Sequence, residues 1–291
     1  MSPSANLPVV TAFFDEATNT VSYVVADPTS REAAVIDPVL DFDAASGRTA
    51  TTSMDLVTEH LSANDLTLAW ILETHVHADH LSAAQPLRDA LGGRIGIGAN
   101  VTAVQETFKA IFNLRDLQTN GAAFDHLFAD GESFTIGSLE ARVLATPGHT
   151  PACITYIIGD AAFVGDTLFM PDFGTARTDF PGGSAAELYD SIQAIFALPS
   201  DTRLFMCHDY KAPGRNEFAW ETSVQEQREK NIHITDGVSK ADFVALREGR
   251  DKQLGMPALI LPSIQVNIRA GILPAPEDND IRYLKIPLDT I

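Results

Sequence analysis

The run His75-Val76-His77-Ala78-Asp79-His80 places three imidazoles and one carboxylate within six positions. The alternatives are a solvated polar loop or a metal site, and ligand-type side chains at this density favour the metal. The segment before it, Leu66–Leu72, is apolar and rich in strand formers, whereas Leu81–Leu91 has helical spacing, with Pro86 in an early turn. The cluster is therefore expected on a strand-to-helix loop, where short side chains converge. Imidazole nitrogen and carboxylate oxygen suit Zn or Fe.

A chain of 291 residues can bury one large core. The expected organisation is one domain over residues 1–291, with residues 211–291 forming a C-terminal extension packed on it. The formal net charge of −19 repels nucleic acid. No stretch approaches the ~20 apolar residues that span a bilayer. The start, Met1-Ser2-Pro3-Ser4-Ala5-Asn6-Leu7, shows neither a basic segment nor an apolar signal core. Two cysteines, Cys153 and Cys207, form no disulfide framework and are read as buried. A cytoplasmic location is expected, with no membrane or nucleic-acid partner.

Short apolar runs, some with β-branched residues, mark strands at Val21–Ala26, Ala33–Ile36, Arg94–Ile97, Phe134–Ile136, Leu139–Ala145, Cys153–Ile158, Ala161–Val164 and Leu204–Cys207. Gly159-Asp160 is a two-residue hairpin signal. Helical periodicity covers Ser53–Ala63, Val101–Phe112 and Ser184–Leu198, where Ser184 and Glu187 form a capping-box pattern. Residues 41–52 are polar and predict a loop. Phe108 and Phe112 are expected in the core. Strand groups separated by helices imply a layered α/β architecture.

Three more ligand-type residues each follow an apolar run: His149 after Thr146-Pro147-Gly148, Asp166 after Gly165, and His208 after Cys207. Singly, these have ordinary readings as a turn residue, a cap, and a histidine bonded to Asp209. Their repeated placement at strand ends, where a rigid scaffold presents functional groups, favours a shared site.

This pattern resembles the metallo-β-lactamase superfamily: His-x-His-x-Asp-His followed by a distal His, Asp and His, over roughly residues 10–210. The resemblance implies an αββα sandwich, two mixed β-sheets flanked by helices, with metal at one edge. His75, His77 and His149 would face one metal position, Asp79, His80 and His208 a second, with Asp166 between them. A finer similarity is to the persulfide dioxygenases, also called sulfur dioxygenases or the ethylmalonic-encephalopathy protein family, and to bacterial β-lactamase-like hydrolases. It is carried by Thr74–His80, Thr146–Thr150, Gly165–Leu168, Arg177-Thr178-Asp179-Phe180 and His208-Asp209-Tyr210, together with Thr18–Tyr23 and Ile36–Leu40.

The resemblance implies one Fe(II) per chain on His75, His149 and Asp166, with no organic cofactor and with Zn the alternative metal in the protein as purified. A two-His, one-carboxylate face leaves about three coordination positions for sulfur and O₂. His77, Asp79, His80 and His208 would then orient water or substrate. The implied reaction converts glutathione persulfide, O₂ and water to glutathione and sulfite, in sulfide detoxification. Arg177, Tyr210, Lys211, Arg215 and Arg269 are the expected substrate contacts, and a homo-oligomer the expected assembly. Arg177 and Tyr210 also have structural readings, as a salt bridge and a packed ring. Human-type members carry a cysteine after an Asn-x-Arg step, whereas Ala270 follows Asn267-Ile268-Arg269 here, so that cysteine's role is not carried over. The competing reading is a binuclear Zn thioester hydrolase resembling glyoxalase II; a non-catalytic metal-binding scaffold fits a complete ligand set poorly.

Overall fold

The computed structural model describes residues 7–290; residues 1–6, most of the start read above for a signal, lie outside the described residues. The chain begins β1 (Val9–Asp15), β2 (Thr20–Ala26), β3 (Glu32–Ile36), β4 (Val39–Asp43), β5 (Arg48–Ala50) and α1 (Thr52–Ala63). It continues β6 (Thr67–Leu72), β7 (Leu81–Ser82), α2 (Ala84–Leu91), β8 (Arg94–Gly98), α3 (Val101–Phe112) and β9 (His126–Phe128). Then follow β10 (Ser133–Ile136), β11 (Leu139–Ala145), β12 (Ile154–Ile158), β13 (Ala161–Phe163), α4 (Ala185–Phe196) and β14 (Arg203–Phe205). β15 (Glu221–Ser223), α5 (Val224–Lys230), α6 (Lys240–Asp251) and α7 (Ile260–Asn267) complete the described elements.

Two six-stranded mixed sheets form, in the orders β1-β2-β3-β6-β8-β9 and β10-β11-β12-β13-β14-β15. Alternation along a strand sends neighbouring side chains to opposite faces. In β2, Val21, Tyr23 and Val25 enter the core between the sheets, while Val24 and Ala26 join the core under the helices. The inter-sheet core takes Phe128, Tyr156, Phe163 and Phe205, each side chain contributing about 1.5–3 kcal/mol by burial. Leu87, Val104, Phe108 and Ile264 cover the first sheet from α2, α3 and α7. Leu188, Ile192 and Phe243 cover the second from α4 and α6. Helix, sheet, sheet, helix is the expected sandwich, and Phe108, Phe112 and both cysteines are buried.

Several boundaries differ from the sequence pattern. Residues 41–52 are not a loop: β4 and β5 form a hairpin, and α1 starts at Thr52. Asp43 closes its turn by accepting from the Ala45 N–H and the Ser46 hydroxyl. The strand Arg48–Ala50 is exposed, so polar composition conceals it. Leu81–Ser82 pairs with β4, which delays α2 to Ala84 and puts Pro86 in the first turn, where no helical bond is lost. Edge strand β1, short strands β9 and β15, and helices α5 to α7 carry no pattern singled out above.

The fold delivers the candidate ligands to one edge. The chain leaves β6, β11, β13 and β14 shortly before His75, His149, Asp166 and His208, respectively. Gly148 has φ +140°, and a Cβ there would sit 2.4 Å from the Leu188 backbone of α4. Ser184 caps α4 by accepting from the Glu187 N–H, and its own N–H donates to the Gly148 carbonyl. Gly148→Ala therefore meets both strain and clash beside His149. It should lower stability by about 1–3 kcal/mol, read by urea denaturation, and reduce the metal content of purified protein.

Candidate active site

His75 and His149 are oriented by partners on their far nitrogens. Thr74 Oγ1 donates to Asp37 Oδ2 at 2.8 Å, so at 3.0 Å it accepts from His75 Nδ1. His149 Nδ1 donates to the Arg177 carbonyl at 2.8 Å. Both imidazoles thus turn an Nε2 lone pair inward, as metal-binding histidines do. These nitrogens lie 4.0 and 3.7 Å from one oxygen, Asp166 Oδ2. All three residues are buried. Gly165 makes room for them, since a Cβ there would lie 2.7 Å from Thr74 Oγ1.

A second group adjoins the first. His208 Nδ1 donates to the Asn19 carbonyl at 3.2 Å, leaving Nε2 2.9 Å from Asp79 Oδ2 and 3.3 Å from Asp166 Oδ1, without hydrogen-bonding alignment. The ordinary bond from His208 to Asp209 is not formed; Asp209 instead binds Arg215. His80 Nδ1 lies 3.3 Å from Asp79 Oδ1. His77 Nε2 donates to Asp37 at 2.9 Å, with Glu73 3.3 Å away. Ligand-type atoms of His77, Asp79 and His80 also gather within 4.8 Å of one another.

These residues fit a metal. His77 Nδ1, His80 Nε2, Asp166 Oδ1 and His208 Nε2 are buried without hydrogen-bond partners among the described residues. Buried polar atoms rarely go unsatisfied, and here several converge. Burial, then the neighbouring His77 and His149, push His75 well below the usual imidazole range, leaving a neutral lone pair. Burial opposes a charged His77, but the Asp37 carboxylate raises it well above that range. Asp79 similarly raises His208 against burial. A metal displaces such protons when it binds.

Arg177 and Tyr210 line a cavity of about 440 Å³ that reaches Asp79, His149 and Asp166. Arg177 is tied bidentately to Asp179, at 2.6 and 2.7 Å, and donates to the Gly255 carbonyl. The Tyr210 ring stacks beside His208 with centroids 5.7 Å apart. Lys211, Arg215 and Arg269 are outside the cavity lining. Lys211 lies over the Phe218 ring, Arg215 binds Asp172 and Asp209, and Arg269 binds Asp116. In so acidic a chain, each cation finds a carboxylate or a ring nearby.

Other contributors carry no motif of their own. The Asn267 amide donates to the His77 and His80 carbonyls, both at 2.8 Å, and accepts from the Ser82 N–H. Its nearness in sequence to Arg269 is the only hint of this clamp. Arg247 and Asp251 form a buried pair on α6, at 2.7 Å. Arg247 donates to the Thr175 carbonyl, and Asp251 accepts from the Thr178 N–H and hydroxyl. The pair fixes the segment whose Arg177 carbonyl orients His149.

A family model of the metallo-β-lactamase superfamily matches residues 16–208, and the chain belongs to that superfamily. It is 55% identical to the "Beta-lactamase hydrolase-like protein" of Xylella fastidiosa over 98% of this chain and 65% of the relative. The chain thus spans about two thirds of the length of that relative. Human mitochondrial persulfide dioxygenase ETHE1 is 32% identical, over 89% of this chain and 87% of the human protein. The crystal structure of ETHE1 from Myxococcus xanthus superposes with a TM-score of 0.74 at 31% identity, covering 91% of this chain and all of that one.

Asp251→Ala would leave the buried Arg247 charge unpaired and free Thr178. A loss of about 3–5 kcal/mol is expected by chemical denaturation, with Asp251→Asn less damaging because its amide oxygen still accepts from Thr178.

Proposed function

We propose that this chain is a mononuclear Fe(II) persulfide dioxygenase, held by His75, His149 and Asp166. The observation that carries the reading is the approach of two inward-facing Nε2 atoms to one carboxylate oxygen at a cavity's buried end. Two histidines and one carboxylate form the donor set of non-haem Fe(II) oxygenases. The similarity to persulfide dioxygenase ETHE1 supports the same reading. Glutathione persulfide, O₂ and water yield glutathione and sulfite; the sulfane sulfur loses four electrons, and O₂ takes them up. When bound, Fe(II) supplies the one-electron steps that O₂ requires and Zn lacks.

The chain's own residues position and enclose the reactants. Phe169, Phe173 and Phe180 line the cavity and exclude water from the reacting sulfur. Asp79 and His208 lie together beside Asp166, where they orient water and hold or release its protons. Asp37 and Asn267 keep the His77–His80 loop in place from behind. With Ala at 270, no step is assigned to a cysteine at that position.

The second reading, a binuclear Zn thioester hydrolase, is favoured by the second ligand group and by the hydrolase-like name of the Xylella relative. His75, His77 and His149 with Asp79, His80, Asp166 and His208 would then hold two zinc ions, which would supply water activation for hydrolysis. The two are separated by O₂ uptake with glutathione persulfide, run on Fe(II)-loaded and Zn-loaded protein with S-lactoylglutathione alongside. Uptake with sulfite formation in the iron sample alone is expected. Thioester hydrolysis by the Zn form without uptake would overturn the dioxygenase. Asp166→Ala and His149→Ala should abolish iron binding and turnover together. His208→Ala should retain iron while slowing turnover roughly 10–100-fold, and equal iron loss in that variant would contradict a single-metal site.

A further inference from the structure

Three guanidinium groups line the cavity: Arg177, Arg247 and Arg250. Two are neutralised by the chain's own carboxylates, Arg177 by Asp179 and Arg247 by Asp251. Arg250, exposed near the end of α6, has no ion-pair or side-chain hydrogen-bond partner among the described residues. The cavity wall is mostly apolar around it, and the chain carries 39 acidic residues against 20 basic ones. An unpaired arginine beside an apolar cavity in such a chain leaves a positive charge available to a ligand.

A second unsatisfied group belongs to a residue of the same lining. His233 lines the cavity and is 5% exposed. Its Nδ1 accepts from the Thr175 N–H at 3.0 Å, and a backbone N–H can only donate. In the neutral ring the proton is therefore on Nε2, which is buried and has no partner. Burial, then the charges of Arg247 and Arg250, push His233 down to about 4, so the ring is neutral near pH 7. Such an N–H can donate to an amide carbonyl.

We infer that Arg250 and His233 form a recognition pair for a peptidic thiol: Arg250 binds a carboxylate of the substrate and His233 Nε2–H an amide carbonyl. The inference rests on the proposed use of glutathione persulfide and assigns the two residues that select its peptide portion. It replaces Lys211, Arg215 and Arg269, whose charges are engaged elsewhere. A persulfide with neither a carboxylate nor an amide would leave both groups unsatisfied.

The test is calorimetric titration of metal-loaded protein with glutathione and with glutathione diethyl ester, under anaerobic conditions. The ester keeps the amides and loses both carboxylates. Wild-type protein should bind glutathione roughly five- to tenfold more tightly than the ester. Arg250→Ala should abolish that preference, and Arg250→Lys should restore part of it. Because Arg250 is exposed and unpaired, its removal leaves the fold intact, as circular dichroism would register. His233→Phe should weaken both ligands several-fold and leave their ratio unchanged. An Arg250→Ala protein that keeps the wild-type ratio would overturn the assignment. So would wild-type protein that binds neither thiol. Discrimination that depends on Arg250, in a protein without O₂ uptake, would support the pair and remove only the dioxygenase reading.

Discussion

The carboxylate of Asp37 is the interaction on which the site depends. It is 2% exposed, and it accepts from the Thr74 N–H, the Thr74 hydroxyl and His77 Nε2. A charge buried without such partners would be prohibitively unfavourable. With them, it orients both leading histidines: His77 directly, and His75 through the hydroxyl of Thr74. Its backbone fixes the carboxylate in turn. The Asp37 N–H donates to the Leu72 carbonyl at the end of β6, and its carbonyl accepts from Ser22 on β2. The left-handed φ of +49° directs the carboxylate toward the His75–His80 loop, in a conformation that Asp tolerates better than most residues. One residue thereby couples the register of the first sheet to the tautomers of the ligand set.

The clustered ligands were legible because metal chemistry demands particular residue types at short spacing. The strand ends were legible because short, largely apolar runs stop before His149, Asp166 and His208. The exposed hairpin around Gly47 was hidden by its solvated, polar surface. Helix α6 was hidden for a different reason: Arg247 and Asp251, four residues apart, have the spacing of a surface ion pair. The structure buries both, and only the tertiary fold reveals that they hold Thr175 and Thr178. Long basic side chains were the least legible. Lys211, Arg215 and Arg269 are near the site in sequence or motif, but a flexible side chain reaches whichever carboxylate or ring lies closest. Asp209, Asp172, Asp116 and Phe218 supplied those partners.

The C-terminal segment contributes more than cover. β15 extends the second sheet, α5 and α6 lie near α4, and α7 packs into the core over the first sheet. From α7, Asn267 grips the carbonyls of His77 and His80; from α6, Asp251 grips the segment that orients His149. The ligand loops are thus pinned from behind by residues late in the chain, as precise metal geometry requires. Folding of these helices and formation of the site are linked for that reason.

The cavity combines two electrostatic environments that the sequence-wide charge would not suggest. At its inner end, Asp79 and Asp166 stand among imidazoles, a donor set that would hold a cation. At its exposed side, Arg250 is positive while the surface as a whole is negative. The two ends of the cavity therefore differ in the charge they present. That difference in charge orders the lining itself: the carboxylates of Asp79 and Asp166 lie on the imidazole side, and the guanidinium without a carboxylate partner, Arg250, lies on the solvent side.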